Sequence, residues 1–351
     1  MKKKICFSSL VLALLFSAVS VWASGDKEKT GDYGKLTVGF QQGGSSTLPM
    51  LAVDQGYFEK SGVHTEFIPF SNSGDGLAAL DMGKIDVGVS FGTSAPLTQA
   101  ANGAKLVIIA GNLTGGHPII TKAENAAQYK DISGFKGKVV GTPRLFTPDV
   151  VWRGALYQAG ITPGQDLEVI EFKRPVDVLE AVKSGKVDVG IGSSSITYQA
   201  RQAGLAIPLF SNDLKPNHPC CRIVVSQNAI QNKRPALVAF IKGLLLAEQK
   251  FRQDPESAVT ANINQQQFSE ELSRELALEP HQQFFIDPNT KAIVDMFAYM
   301  KEIEYLDPAL ALDPYSLIDT SLYVEALDQL KREAPSPYWD ELTTRFADWN
   351  S

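Results

Sequence analysis

The sequence predicts a two-lobed α/β protein: each lobe a mainly parallel sheet flanked by helices, then a helical C-terminal tail. Three observations predict it. Short β-branched runs alternate with short helical stretches, the pattern of βαβ units. One such stretch recurs, because Leu77–Gly88 (LAALDMGKIDVG) overlays Leu179–Gly190 (LEAVKSGKVDVG) at a constant offset of 102 residues. The patterning is also helical throughout from Pro235 onward. At 351 residues the chain exceeds the size at which one core usually keeps growing, so two lobes are the default.

The chain opens with an export signature. Lys2, Lys3 and Lys4 precede an apolar run from Ile5 to Val19, and Val21-Trp22-Ala23 supplies a small residue for a signal peptidase. The run is short for a membrane span and ends at this site. The expectation is a cleaved signal peptide over residues 1–23 and export to the periplasm. No Cys follows the run, so no lipid anchor is expected. Residues 24–34 (SGDKEKTGDYG) read as a polar, flexible leader.

Strands are predicted at Lys35–Gln41, Val63–Phe70, Ile85–Ser90 and Lys105–Ala110, with helices at Pro49–Phe58, Gly76–Met82 and Ala95–Asn102. The pattern restarts with strands at Lys138–Gly141, Leu167–Phe172 and Val187–Gly192, and helices at Asp149–Ala159 and Val176–Ser184. Arg222–Ser226 reads as a last strand. Helices follow at Pro235–Gln253, with Pro in its first turn, and at Phe268–Leu278, Thr290–Ile303, Leu317–Glu333 and Tyr338–Trp349. This order assigns residues 35–116 with 220–351 to one lobe plus the tail, and 117–219 to the other. The chain then crosses a hinge twice, near Asn112–Gly116 and Asp213–Pro219, where Gly and Pro suit the motion.

The composition, 44% hydrophobic and 21% charged, is that of a globular protein and excludes disordered, collagen-like and disulfide-scaffold classes. A net charge of −6 without a basic stripe argues against a nucleic-acid partner. The four His residues show no HExxH spacing, and neither GxSxG nor GxxxxGK[ST] occurs. No catalytic set, metal or cofactor is therefore nominated. Without a heptad seam, a monomer is expected.

In open α/β sheets, ligands bind beyond the carboxyl ends of strands. The first-half loops there carry Gln41, Gln42, Gly44, Ser45 and Ser46, then Ser73 and Gly74, then Phe91, Thr93 and Ser94, then Asn112. The second-half loops carry Thr142, Arg144 and Thr147, then Lys173-Arg174-Pro175, then Ser193 and Ser194. Several of these loops precede helices, whose free N–H groups and positive ends suit a small anion or polar molecule. The same Gly, Ser and Thr residues also serve as ordinary turn and cap residues. Arg144, between a strand end and a helix start, is the favoured partner for a sulfonate, carboxylate or phosphate. Phe40, Phe91 and Phe146 flank the loops and could hold a flat ring or simply fill the core.

Cys220 and Cys221 leave three readings open. They are buried free thiols at the lobe junction, or a vicinal disulfide forming a rigid apolar platform beside the ligand, or a metal site with His218 or His117. The disulfide would be strained, because adjacent Cα atoms lie only about 3.8 Å apart.

Several motifs share one order along roughly residues 35–260. They are Leu51–Gly62 (LAVDQGYFEKSG) with Val63 and Glu66, Ser73-Gly74 with Leu77–Val87, Ala101–Val107 (ANGAKLV), Phe135–Gly141 (FKGKVVG), and Pro235–Phe251 followed by Asp254-Pro255. In that order they resemble the periplasmic substrate-binding proteins of ABC importers, in the nitrate/sulfonate/taurine group that includes thiamine-precursor binders. The resemblance implies a two-lobed periplasmic binding protein fold of type II. It implies a small anionic solute clamped between closing lobes, delivery to an inner-membrane ABC permease, and no chemistry on the solute. It places ligand contacts at Gln41–Ser46, Ser73-Gly74, Phe91–Ser94, Thr142–Thr147 and Ser193-Ser194.

The segment His218-Pro-Cys-Cys-Arg222 departs from the sulfonate and nitrate binders, and is shorter than the Cys-rich segment of the pyrimidine-related branch. A binder of a pyrimidine, thiamine-precursor or aromatic solute is therefore an alternative. So are a thiamine-precursor-type enzyme on the same fold and a sensor that contacts a membrane receptor.

Overall fold

The computed structural model describes residues 31–351. The signal peptide and most of the leader expected from the sequence lie outside the described residues. Two sheets form the frame. The first has the order β11-β4-β10-β3-β1-β2. Its strands are β1 (Lys35–Phe40), β2 (His64–Pro69), β3 (Val87–Gly88), β4 (Leu106–Gly115), β10 (Pro219–Ser226) and β11 (Gln282–Phe284). The second has the order β7-β6-β8-β5-β9. It contains β5 (Pro118–Lys122), β6 (Val139–Pro143), β7 (Glu168–Phe172), β8 (Val189–Ile191) and β9 (Leu205–Phe210).

The 102-residue repeat has a physical basis. Val38 pairs in parallel with Phe67 on β2 and Val87 on β3, and Val140 pairs with Val169 on β7 and Val189 on β8. The Asp86 carboxylate accepts the Thr37 N–H at 2.8 Å, and Asp188 accepts the Val139 N–H at 2.8 Å. At Gly39 and Gly141 the missing side chains admit Phe70 and Phe172, whose rings would lie 3.0 and 3.2 Å from an added Cβ. Two αβ units thus follow one hydrogen-bonding plan.

The sheets are mixed, which corrects the expectation of mainly parallel ones. β10 runs antiparallel to β3 and β4, β11 to β4, and β5 to β8 and β9. The cause is the passage of the chain between sheets. β4 leaves the first sheet and becomes β5 of the second through Gly115, Gly116 and His117. β10 returns beside β4 and must run the other way. The two crossings touch: the Gly115 N–H donates to His218 O at 3.3 Å and the Gly116 N–H to Asn212 Oδ1 at 2.8 Å. An added Cβ on Gly115 would lie 2.2 Å from Asn212 Nδ2, and its φ of +70° favours glycine.

Helices α1 (Thr47–Asp54), α2 (Tyr57–Lys60), α3 (Ser73–Asp81) and α4 (Ser94–Ala101) flank the first sheet. Helices α5 (Thr147–Gln158), α6 (Pro175–Ser184), α7 (Thr197–Gln202) and α8 (Ser211–Leu214) belong to the second half. The tail carries α9 (Gln227–Gln253), α10 (Glu256–Gln266), α11 (Glu270–Leu278), α12 (Thr290–Glu302), α13 (Ser321–Glu333) and α14 (Pro337–Asn350). α9 starts eight residues ahead of Pro235, but it breaks at Lys233 (φ −129°, ψ 20°), so Pro235 opens its second segment.

The tail is part of the core. Phe58 stacks on Phe240 of α9, with ring centroids 4.7 Å apart. The fully buried Glu248 of α9 accepts from Arg345 at 2.7 Å, Tyr338 at 3.0 Å and the Ile286 N–H at 2.8 Å. Such a buried charge is tolerable only with partners of this kind. α12 reaches the second half, where its Tyr299 ring fills the space above Gly154 of α5. Among the described residues no helix is long and apolar enough to cross a membrane.

Candidate functional site

Beyond the carboxyl ends of the parallel strands of both sheets lies a cavity of about 370 Å³. The strand–loop–helix order of the sequence brings polar side chains to it. Gln41, Gln42 and Ser45 follow β1, Ser73 opens α3 and Phe91 follows β3; Thr147 opens α5, Ser193 and Ser194 follow β8, and Cys220 and Cys221 lie on β10. These ten expected site residues all line the cavity. Four helical segments begin at its wall, at Ser73, Thr147, Pro175 and Ser194, so the positive ends of their backbone dipoles lie beside it.

Phe91 is not a free platform. Its ring fills the space left by Gly39, Gly76 and Gly88, where added Cβ atoms would meet it at 3.0, 2.2 and 2.7 Å.

The remaining expected residues lie outside the lining and hold its loops. Ser46 Oγ donates to Gln41 O at 2.6 Å, Thr93 Oγ1 to Cys220 O at 3.0 Å and Ser94 Oγ to Leu145 O at 2.8 Å. Asn112 Nδ2 donates to Ser45 O at 2.5 Å and also to Val89 O. Thr142 Oγ1 donates to the buried Asp149 at 2.8 Å. Gly74 sits in the first turn of α3, and Gly44 begins a 3-10 turn, Gly44–Ser46.

Arg144 also lies outside the lining. It pairs with Glu171 at 3.3 Å and stacks 4.2 Å from the Tyr305 ring centre. Arg153 is held by Asp149 and Glu171. Arg222 is buried and donates Nη1–H to the carbonyls of Leu113 and Cys221. The cation in the lining is Arg174, whose guanidinium donates twice to Asp177, at 3.0 and 2.5 Å. No Asp or Glu is among the lining residues.

Two parts of the wall escaped sequence reasoning as ligand contacts. Phe268, Leu272 and Leu276 form an apolar face around α11. Their i, i+4, i+8 spacing was the available signal. The other is His117, buried in the lining with neither ring nitrogen partnered. Burial, and then the neighbouring His218 with ring centres 5.6 Å apart, hold His117 well below the ordinary 6.5, so it is neutral. His218 is also neutral, pushed down to about 4 mainly by burial. Its Nδ1–H donates to Lys215 O at 2.7 Å, which leaves Nε2 to accept from Ser211 Oγ at 3.1 Å. Among the described residues no three His, Cys, Asp or Glu side chains gather as a metal site.

The family model of the NMT1-like family matches residues 30–264. The chain belongs to the NMT1-like family. The match takes in both sheets except β11, while α11 and everything after it lie beyond the matched span. A binding protein of Brucella abortus is 27% identical over 217 residues, covering 61% of this chain and 66% of that protein, just under two thirds. An ABC transporter periplasmic binding protein of Brachyspira hyodysenteriae is 24% identical over 277 residues, 74% of this chain and 78% of its own.

Among solved structures, the nitrate-binding protein NrtA of Synechocystis PCC 6803 superposes with a TM-score of 0.71 at 17% identity, covering 86% of this chain and 91% of that one. The aliphatic sulphonate binding protein SsuA of Escherichia coli gives 0.67 at 18% identity, covering 82% and 92%. These likenesses establish that the NMT1-like chain has the periplasmic binding protein fold. The Synechocystis, Escherichia coli and Brachyspira proteins are each named as periplasmic binding proteins.

Proposed function

We propose that this NMT1-like protein is the periplasmic component of an ABC importer. It captures a small organic solute with a compact anionic head and an apolar body, and delivers it to an inner-membrane permease. One observation carries the solute class: helix starts and hydroxyls converge on a cavity whose lining contains no carboxylate and is apolar along α11. A carboxylate-free lining beside helix starts favours negative charge and disfavours a cation. Arg174 takes the role that sequence reasoning gave to Arg144, and an incoming anion would compete with Asp177 for its fork. The sulfonate- and nitrate-binding neighbours support an anion without naming it.

In this reading the two sheets belong to lobes, residues 35–116 with 220–351 and residues 117–219, that close on the solute. Contacts from both sides favour the closed state by their differential affinity.

A thermal-shift screen tests the class. Methane- to octanesulfonate, benzenesulfonate, taurine, nitrate and a neutral pyrimidine are compared at equal concentration. Stabilisation that grows with alkyl length among the sulfonates is expected. No stabilisation by any anion overturns the reading.

One observation favours a second reading, a neutral heteroaromatic solute. His117, with one ring N–H to donate and one nitrogen to accept, is unpartnered in the wall. A pyrimidine response lost in His117→Ala would select it.

A further inference from the structure

Cys220 and Cys221 line the cavity, and the anion-capture reading gives them no role. In a regular strand, successive side chains point to opposite faces. Here the pairing of β10 with β4 slips between Pro219 and Cys221 and again between Cys221 and Arg222. The irregularity accompanies two adjacent side chains on the same cavity wall. Their sulfurs touch at 3.3 Å, and both thiols are free.

We propose that Cys220 and Cys221 form a reversible dithiol–disulfide switch in the wall of the solute cavity, oxidised by a small-molecule disulfide that enters through the cavity. Cys221 sulfur attacks one sulfur of the reagent, forming a mixed disulfide and releasing the other half as a thiol. Cys220 sulfur then attacks Cys221, forming the vicinal S–S bond and releasing the second half as a thiol. Two S–H bonds are lost from the protein. Two electrons and two protons pass to the reagent, which becomes two thiols.

The surroundings distinguish the two sulfurs. The contact with the Cys220 sulfur holds Cys221 below the ordinary thiol range. It does so against desolvation and with help from the Gly92 backbone and Ser45. Burial pushes Cys220 up. The buried Arg222 guanidinium, whose Nε and Nη2 have no partner, adds positive charge beside both. A thiolate is the attacking species, so Cys221 leads and Cys220 resolves. Adjacent Cα atoms, about 3.8 Å apart, lie below the usual disulfide span, so the product is strained and easily reduced. That strain makes the change a switch rather than a permanent staple. Oxidation would replace two S–H groups with a rigid apolar ring facing the solute.

The test uses the folded protein, reduced and then treated with excess 2-hydroxyethyl disulfide. The reaction is quenched with acid, and the protein is alkylated under denaturing conditions. Peptide mapping separates the pair from Cys6. The wild type is expected to lose both alkylation sites on the Cys220-Cys221 peptide, with a mass two hydrogens lower, and to regain both in dithiothreitol. Cys220→Ser is expected to stop as a mixed disulfide on Cys221, and Cys221→Ser to react at least tenfold more slowly. Full alkylation of both thiols after oxidant, a wild-type mixed disulfide that never resolves, or equal reactivity of the two variants would overturn the proposal. The wild-type experiment decides even if a variant fails to fold, and it does not depend on the identity of the solute.

Discussion

His218 shows how a single buried side chain sets a pH limit on this protein. Its imidazole is enclosed beside the chain crossings and bonded as the neutral form to Lys215 and Ser211. In the unfolded chain it takes a proton near pH 6.5, whereas in the fold it does so only at about 4. Between those values the unfolded state binds more protons, so stability falls as pH falls. The loss begins below 6.5 and is complete below about 4. At about 1.4 kcal/mol per pH unit it amounts to roughly 3 kcal/mol. His117, also depressed by burial, adds loss in the same direction. Urea denaturation at pH 7, 6, 5 and 4.5 should show this slope, and His218→Gln should flatten it. A wild-type stability constant from pH 7 to 5 would contradict the account.

At the scale of elements, the packing of α5 against α12 rests on a missing side chain. An added Cβ on Gly154 would lie 1.8 Å from the Tyr299 ring, inside any permitted contact. Gly154→Ala should therefore destabilise by about 1–3 kcal/mol, despite alanine's better helix propensity. Tyr299→Ala in the same chain should recover part of the loss, and urea midpoints of the single and double variants measure the coupling.

This contact joins a helix inside the family-matched span to one beyond it, and such contacts were the least legible in the sequence. The αβ repeat was readable because period-2 and period-3.6 patterns are local. β9 was not, because Pro208 reads as a strand breaker and is tolerated here on an edge strand. β11 has only three residues, Gln282–Phe284, and owes its place to β4. The site divides in the same way. Loops at strand ends were readable from topology. The aim of Thr93, Ser94 and Thr142 was not, because short hydroxyl side chains bond to whatever backbone or carboxylate lies nearest. The α11 wall depends on contacts far apart in the chain.

For the whole molecule, the tail does more than extend the first sheet. From Glu275 to Tyr305 it touches the second half repeatedly. Arg201 of α7 pairs with Glu279 at 2.8 Å and also with Glu275. Phe210 stacks on His281 with ring centres 3.7 Å apart. Tyr305 donates its hydroxyl to Asp149 at 3.1 Å and accepts the Leu145 N–H at 2.8 Å. These contacts span the two halves beside the same cavity that α11 lines. In the proposed two-lobe reading they act on the relative position of the halves as well as on the fold. If the solute binds the closed arrangement, apparent affinity scales with the fraction of molecules already closed. Arg201→Ala with Tyr305→Phe should lower that fraction. Each contact is worth about 0.5 kcal/mol and the two together about 1 kcal/mol, so the solute found by thermal shift should bind about fivefold more weakly. The radius of gyration of the solute-free variant, from X-ray scattering, should rise above that of the wild type, and saturating solute should bring the two together. Weaker binding without a change in scattering would leave the clasp a local structural feature. Unchanged affinity would remove it from the capture mechanism altogether.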